Sequence, residues 1–149
     1  MTRCGAVVDR QNDFHRTALH LTVQGKQVAI LSLLIQAGVN VNPAPKIFSS
    51  STRETDWHLI HEAISTRNTP IVKMLLEAGT LLDPPLWEET DTRTSLDIAV
   101  KRRDRWMVKL LPAHGAAITP DTLHWARGSI NRRNNKTILP MLEKALATR

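Results

Sequence analysis

The stretch Ile71-Val-Lys-Met-Leu-Leu-Glu-Ala-Gly79, followed by Thr80-Leu-Leu-Asp83, is one copy of a pattern that recurs along the chain. An apolar run ends on a glycine, and the glycine begins a short segment, Gly79–Asp83 in this copy, which we call a phrase. The phrase begins at four glycines, spaced 33, 41 and 36 residues apart: Gly5, Gly38, Gly79 and Gly115. A period in this range indicates one supersecondary unit that is used several times.

A second motif begins each unit. Its copies read Thr17-Ala-Leu-His20, His58-Leu-Ile-His61, Thr94-Ser-Leu-Asp97 and Asp121-Thr-Leu-His124. Apolar residues follow at helical spacing, and Gly38, Gly79 and Gly115 fit the left-handed residue that ends a helix. The pattern predicts helix pairs at 18–25 and 28–37, 59–66 and 70–78, 95–102 and 105–113, and 120–129 and 137–147.

Proline adds detail to this prediction. Thr69-Pro70 and Thr119-Pro120 are typical of an N-cap followed by proline at the first helical position. Pro112 lies inside the second helix of the third pair, where it removes the bond to the carbonyl of Val108. We therefore expect this helix to be shortened or kinked.

The two motifs together resemble the ankyrin-repeat family, whose unit is a β-turn plus two helices with a Thr-Pro-Leu-His start. The resemblance extends from residue 5 to about residue 147. It implies an all-α, ankyrin-type helix-turn-helix solenoid with extended β-turn fingers. It also implies that the shared position of His20, His61, Asp97 and His124 is architectural, whereas His58 stands where the family prefers threonine.

The repeat divides the chain as one ankyrin-repeat domain over 1–149. The predicted parts are a remnant of a preceding repeat at 1–9, a repeat at 10–42, an inserted loop at 43–52, a repeat at 53–83, a second inserted loop at 84–88, a repeat at 89–119 and a C-terminal capping repeat at 120–149. The isolated Gly5 phrase suggests a fragment of a longer array, with an exposed apolar edge and some tendency to dimerise.

Composition and charge limit the function further. The single cysteine, Cys4, excludes an intramolecular disulfide, and neither a secretory signal nor a membrane-spanning run is evident, so we expect a cytoplasmic or nuclear protein. Residues 1–100 have a net charge of −2, whereas residues 101–149 carry 11 Lys and Arg against 3 Asp and Glu. The basic part fits either an acidic or nucleic-acid partner or an ordinary solvated surface.

No motif for catalysis or metal binding emerges. His58-Leu-Ile-His61-Glu62 is not a His-Glu-x-x-His motif, because Ser65 stands where the second histidine would be. No glycine-rich phosphate loop or activated nucleophile is present either. We predict no catalytic residue, no metal and no cofactor.

The family resemblance implies a concave face, formed by the turn tips and first helices, that holds a partner. Carried over by position, and joined by the aromatic residues of the two insertions, it predicts these partner-binding residues: Phe14, Arg16, Phe48, Trp57, Trp87, Arg93, Lys101 and Arg102. Exposed tryptophan and arginine are enriched at interface hot spots. Trp106 and Trp125 are predicted to fill the core or the groove.

These features favour a non-catalytic protein-protein interaction module. One alternative is a small-molecule enzyme or cyclase with a pocket between the long fingers that carry Phe48, Trp57 and Trp87. In that alternative His58, Glu62, Asp91 or Asp97 would supply acid–base groups. A further alternative is binding of an acidic or nucleic-acid partner by the basic C-terminal half.

Overall fold

The structure is a computed structural model that describes residues 7–12, 16–42, 58–83, 94–128 and 137–148. Within these ranges all regular secondary structure is α-helical, and the helices form four pairs. The chain divides into two compact units, Met1–Thr80 and Leu81–Arg149. The all-α, helix-turn-helix fold class expected from the repeat is confirmed.

The first unit contains two helix pairs. They are α1 (Ala18–Gln24) with α2 (Val28–Gln36), and α3 (Leu59–Ser65) with α4 (Thr69–Glu77). First helix packs on first helix and second on second, since α1 contacts α3 and α2 contacts α4. The core is formed by fully buried aliphatic side chains that include Leu19, Val23, Leu31, Ile64, Ile71 and Leu75.

The second unit repeats the arrangement. Its pairs are α5 (Ser95–Lys101) with α6 (Arg105–Ala113), and α7 (Pro120–Gly128) with α8 (Ile138–Ala147). Again α5 contacts α7 and α6 contacts α8. Fully buried side chains include Leu96, Val100, Met107, Leu111, Ala126 and Leu142. All eight helices lie within one residue of their predicted bounds at each end.

The first helices α1 and α5 each begin with a reciprocal cap. The backbone N–H of Thr17 donates to His20 Nδ1 at 3.3 Å, and the N–H of Thr94 donates to Asp97 Oδ2 at 2.9 Å. In both, the threonine side chain accepts from the backbone N–H of the third helical residue. Two backbone N–H groups that have no partner within the helix are thereby bonded. His20 therefore has the architectural role expected of it.

Two kinds of left-handed residue delimit each of the first three pairs. Gly38, Gly79 and Gly115 end the second helices with φ of 79°, 84° and 94°, as predicted. The turns inside these three pairs also contain one left-handed residue each, and there it is basic: Lys26, Arg67 and Arg103, with φ of 55° to 56°. The sequence did not predict this second set, because only glycine adopts the conformation without steric cost.

Side chains in the phrases after the glycines join one repeat to the next. The bonds run from Asn40 N to Asp9 Oδ1 at 3.0 Å, from Asn42 Nδ2 to Gly79 O at 3.1 Å, and from Ala117 N to Asp83 Oδ2 at 2.9 Å. Asp83 Oδ1 also accepts from the N–H of Ser95 at 3.1 Å, and the Ser95 hydroxyl donates to the carbonyl of Leu82. Each phrase thus fixes the spacing of neighbouring repeats.

One local prediction was wrong and another was wrong in part. α6 keeps the nine-residue length of α2 and α4, so Pro112 in its last turn does not shorten it. The N-cap of α4 is Asn68 rather than Thr69, since the Asn68 side chain accepts from the N–H of Ile71. No helix in the described ranges is long and apolar enough to cross a membrane.

Candidate functional site

An exposed lysine and an exposed tryptophan meet on successive first helices of the second unit. Lys101 Nζ lies 4.1 Å from the ring centroid of Trp125, within the range of a cation–π interaction. Trp125 keeps 46% of its surface exposed, and Arg102, the residue after Lys101, is exposed as well. We call Lys101, Arg102 and Trp125 the Lys101–Trp125 surface.

The inward residues of α7 explain why Trp125 faces out. Thr122 and Ala126, one helical turn apart, are both fully buried, and they are small enough to let α7 approach α5 closely. The Thr122 hydroxyl donates to the buried Asp97 Oδ1 at 2.6 Å. With that face turned inward, the neighbouring position Trp125 lies on the outside, beside the last turn of α5.

The stretch of chain that carries this surface, residues 94–128, is strongly basic. Between residues 94 and 128, where every residue is described, the exposed charged residues are Lys101, Arg102, Arg103, Arg105, Lys109, Arg127 and the acidic Asp121. Asp97 is buried, and the carboxylate of the half-buried Asp104 accepts from the N–H of Trp106 and of Met107. The surface therefore favours a negatively charged partner.

In the first unit, the predicted residue Arg16 spans the exposed side of α1. Its Nη1 donates to Gln24 Oε1 at 2.7 Å, and its backbone N–H donates to Asn12 Oδ1 at 2.9 Å. Burial, followed by the Arg16 charge, lowers the pKa of His20. Burial raises the pKa of Glu62, and the Arg16 charge partly opposes that effect.

The remaining histidines differ from one another. His61 is buried, and its ring meets the ring of His58 edge-on at 5.5 Å between centroids. His124 is exposed, so its predicted architectural role is wrong. Thr122 has the capping position of α7 instead, because Thr119 and Thr122 cap this helix.

In the part of the chain that the structure describes, no three His, Cys, Asp or Glu side chains cluster as a metal site would require.

The predicted partner-binding residues divide into two groups. Arg16, Lys101 and Arg102 are described, and only Lys101 and Arg102 are neighbours. The other five lie outside the described residues: Phe14, Phe48, Trp57, Trp87 and Arg93.

Sequence reasoning missed both exposed tryptophans. Trp106 is 65% exposed and Trp125 is 46% exposed, so the prediction that they fill the core or the groove was wrong. Trp106 precedes the inward residues Met107 and Val108, which occupy the buried side of α6. The spacing of Thr122 and Ala126 was the signal that would have placed Trp125 on the outside.

A family model described as ankyrin repeats, in three copies, matches residues 1–85, more than half of the chain. The chain belongs to the ankyrin repeat family. Ankyrin repeats serve as protein–protein interaction modules, and the family is typically non-enzymatic.

Two further comparisons agree with this assignment. An ankyrin repeat protein of Fowlpox virus (strain NVSL) is 31% identical over 105 residues, which is 70% of this chain and 22% of that relative. The ankyrin-repeat chain thus spans about a fifth of that relative's length. The crystal structure of the ankyrin repeat domain of Bcl-3, a member of the IkappaB protein family, has a TM-score of 0.51 at 23% identity. The match covers 95% of this chain and 73% of the Bcl-3 chain, and at this identity it supports the fold alone.

Proposed function

We propose that this ankyrin repeat protein is a non-catalytic interaction module that binds an acidic segment of a partner protein on the Lys101–Trp125 surface. The observation that carries the proposal is the 4.1 Å contact between Lys101 Nζ and the Trp125 ring, on a surface where both side chains remain exposed. We expect the protein to act in the cytoplasm or nucleus.

The contact gives the surface a defined shape before a partner arrives. An exposed cation–π pair contributes about 0.5–1 kcal/mol, which offsets part of the roughly 1.5–2 kcal/mol of side-chain entropy that ordering a lysine costs. A carboxylate that approaches Lys101 then meets a partly ordered ammonium group beside a flat apolar ring. Tryptophan and arginine are also the residue types that dominate interface energetics, which supports Trp125 and Arg102 as anchors.

The other predicted anchors remain part of the proposal. Arg16 is held by Gln24, so it offers a guanidinium group in a fixed position on the first unit. We propose Phe14, Phe48, Trp57, Trp87 and Arg93 as additional contacts with the partner. The enzyme alternative depended on a pocket between the fingers, and no described contact favours it.

Fluorescence anisotropy with the full chain tests the surface. The probe is a short fluorescein-labelled glutamate peptide at about 150 mM salt, where only close charge contacts keep most of their strength. We expect Lys101→Ala and Trp125→Ala each to weaken binding about 5- to 10-fold, from the loss of one charge contact or one ring. Lys109→Ala removes the same charge from the exposed side of α6 and is the matched control.

The Lys109→Ala control distinguishes a defined binding site from general electrostatic attraction by the net positive charge. If Lys109→Ala weakens binding as much as Lys101→Ala, net charge alone attracts the peptide and the site assignment is wrong. A labelled DNA duplex is measured in parallel. Tighter binding of the duplex, with an affinity that falls steeply with salt, would replace the protein partner by a nucleic acid.

A further inference from the structure

The cap of α1 depends on a side chain of the type that changes charge near neutral pH. The N–H of Thr17 donates to His20 Nδ1 at 3.3 Å, and the Thr17 hydroxyl lies 2.9 Å from the same nitrogen. In the other reciprocal cap, that of α5, the acceptor is a carboxylate oxygen of Asp97. Histidine is the residue whose charge ordinarily changes between pH 5 and 8, and of these two caps only that of α1 contains it.

The bond from Thr17 fixes which ring nitrogen of His20 carries the proton. A backbone N–H only donates, so Nδ1 must present its lone pair and the proton of the neutral ring must lie on Nε2. When the ring takes up a second proton, Nδ1 becomes a donor as well. The Thr17 hydroxyl can then rotate to accept from it, but the Thr17 N–H loses its acceptor. Because Thr17 is buried, water does not readily replace that partner.

The segment before α1 and the two helices packed on α1 set the electrostatic surroundings of His20. Arg16 directly precedes the cap, and α3 contributes His61 and Glu62, with His58 at its N-cap. The other packed helix, α2, contains no titratable residue. Burial, followed by the Arg16 charge, lowers the pKa of His20. The ring is therefore mainly neutral at pH 7, as the bond from Thr17 requires.

Proton linkage makes the cap weaker in acid. In the unfolded chain His20 is released from burial and has its ordinary pKa of 6.5, whereas the folded state takes up this proton only at a lower pH. Between the two pKa values the unfolded state binds more protons than the folded state. The stability that the neutral ring contributes is thus fully present above pH 6.5 and is lost as the pH falls below it.

The first turn of α1 also holds Arg16 in place. The N–H of Arg16 donates to Asn12 Oδ1 at 2.9 Å, and the N–H of Asn12 donates to the Arg16 carbonyl at 3.0 Å. At the other end of α1, Gln24 accepts from Arg16 Nη1. Since Arg16 is joined directly to Thr17, a loss of the cap acts first on this residue.

We propose that the His20 cap is an acid-sensitive switch, in which protonation of His20 removes the acceptor of the Thr17 N–H, opens the first turn of α1 and loosens the hold on Arg16. Arg16 is one of the proposed partner contacts, but the switch rests on the bonds of Thr17 and not on the proposed function. It belongs to the first unit and is separate from the Lys101–Trp125 surface, which lies in the second.

An NMR titration of the full chain tests the switch at the atoms involved. At pH 7.5 we expect the nitrogen shift of His20 Nδ1 to be that of an unprotonated ring nitrogen, a measurement that needs no variant. As the pH falls below 6.5, the amide shift of Thr17 should change with the same midpoint as the His20 ring. A ring proton on Nδ1 at pH 7.5, or a Thr17 amide that does not follow the ring, overturns the proposal.

Urea unfolding of His20→Gln measures the consequence for the fold. Glutamine keeps an uncharged acceptor at the third helical position, as in other capping boxes. Between pH 7.5 and 5.5 the unfolding equilibrium constant of the wild type should rise about 3- to 10-fold more than that of His20→Gln, tenfold being the limit one pH unit below 6.5. His58 and His61 are the same in both chains, so the difference isolates His20.

The matched control is His124→Gln, which makes the same change at an exposed histidine of α7. This variant should follow the wild type over the whole pH range. If the wild type and His20→Gln depend on pH equally, the cap is not a switch. A His124→Gln variant that behaves like His20→Gln overturns the proposal too, because the effect would then belong to any histidine of the chain.

Discussion

The hydroxyl of Thr122 donates a hydrogen bond of 2.6 Å to Asp97 Oδ1, and both residues are buried between α5 and α7. Asp97 is also half of the cap of α5, because its Oδ2 accepts from the N–H of Thr94. One carboxylate therefore starts its own helix and holds the first helix of the next pair. Its removal affects two helices at once.

We expect Asp97→Ala to lower the free energy of unfolding by about 2–4 kcal/mol, which combines a lost cap with a buried hydroxyl left without its acceptor. Thr122→Ala should lower it by about 1–3 kcal/mol. Urea unfolding of the two single variants and the double variant gives a coupling energy. Because both substitutions remove the same bond, the double variant should lose less than the sum. Additive losses would show that the bond contributes nothing of its own.

Replacing a left-handed basic residue by glycine should, in contrast, increase the stability of the fold. A left-handed conformation costs a non-glycine residue about 1–2 kcal/mol, and the extra freedom of glycine in the unfolded chain offsets about 0.5–1 kcal/mol of that. We therefore expect Lys26→Gly and Arg103→Gly each to raise the free energy of unfolding by about 0.5–1 kcal/mol, measured by urea unfolding.

Gln27→Gly is the control for this pair. Gln27 follows Lys26 directly and has a φ of −90°, which any residue adopts. Glycine relieves no strain there, so the variant should be neutral or less stable. If Lys26→Gly and Gln27→Gly change stability equally, the left-handed turn stores no strain.

Asp83 offers a test of the bonds between phrases, because its two oxygens accept from two different backbone groups, the N–H of Ser95 and of Ala117. We expect Asp83→Ala to cost about 1–3 kcal/mol, as the side chain is exposed to solvent. Asp83→Asn keeps one acceptor oxygen of two and should lose roughly half as much. Thermal unfolding of both variants is the measurement, and equal losses would contradict a role for both oxygens.

The raised pKa of Glu62 makes the free energy of unfolding depend on pH. Its pKa in the folded state is raised above 4.5, mainly by burial, so the folded state binds more protons than the unfolded state just above pH 4.5. This carboxyl therefore lowers stability as the pH rises through that window. We expect Glu62→Gln to be more stable than the wild type at pH 7, and the difference to shrink below pH 4.5.

Chemical unfolding at several pH values measures this difference. Glu77→Gln is the control, since it replaces an exposed carboxylate on α4 by an amide, and its curve should run parallel to that of the wild type. A Glu62→Gln variant that is less stable than the wild type at pH 7 would show that the contact with the Arg16 charge outweighs burial.

The helix pairs could be predicted from sequence because their signals are local. Gly38, Gly79 and Gly115 end helices through a conformation that only glycine adopts easily, and the apolar residues before them have helical spacing. The left-handed Lys26 could not be predicted in this way. Its conformation is imposed by the turn between two packed helices, and lysine carries no local signal for it.

The site was harder to predict because exposure depends on the neighbouring repeat. Lys101 and Arg102 were predicted from the family resemblance, whereas Trp125 was predicted to fill the core or the groove. Its position is decided by Thr122, which stands in the place of the expected histidine and fixes the rotation of α7. In the last repeat the motif is changed, so aligning His124 with His20 gave the wrong register.

The bonds between phrases end on main-chain atoms: the N–H of Asn40, the carbonyl of Gly79 and the N–H of Ala117. Every residue supplies a carbonyl, and every residue except proline supplies an N–H. In each of these three bonds one repeat supplies a particular side chain, of Asp9, Asn42 or Asp83, and its neighbour supplies only a backbone group. Outward-facing residues are free to diverge during evolution, and the protein can acquire a new binding specificity without rebuilding the joints between its repeats.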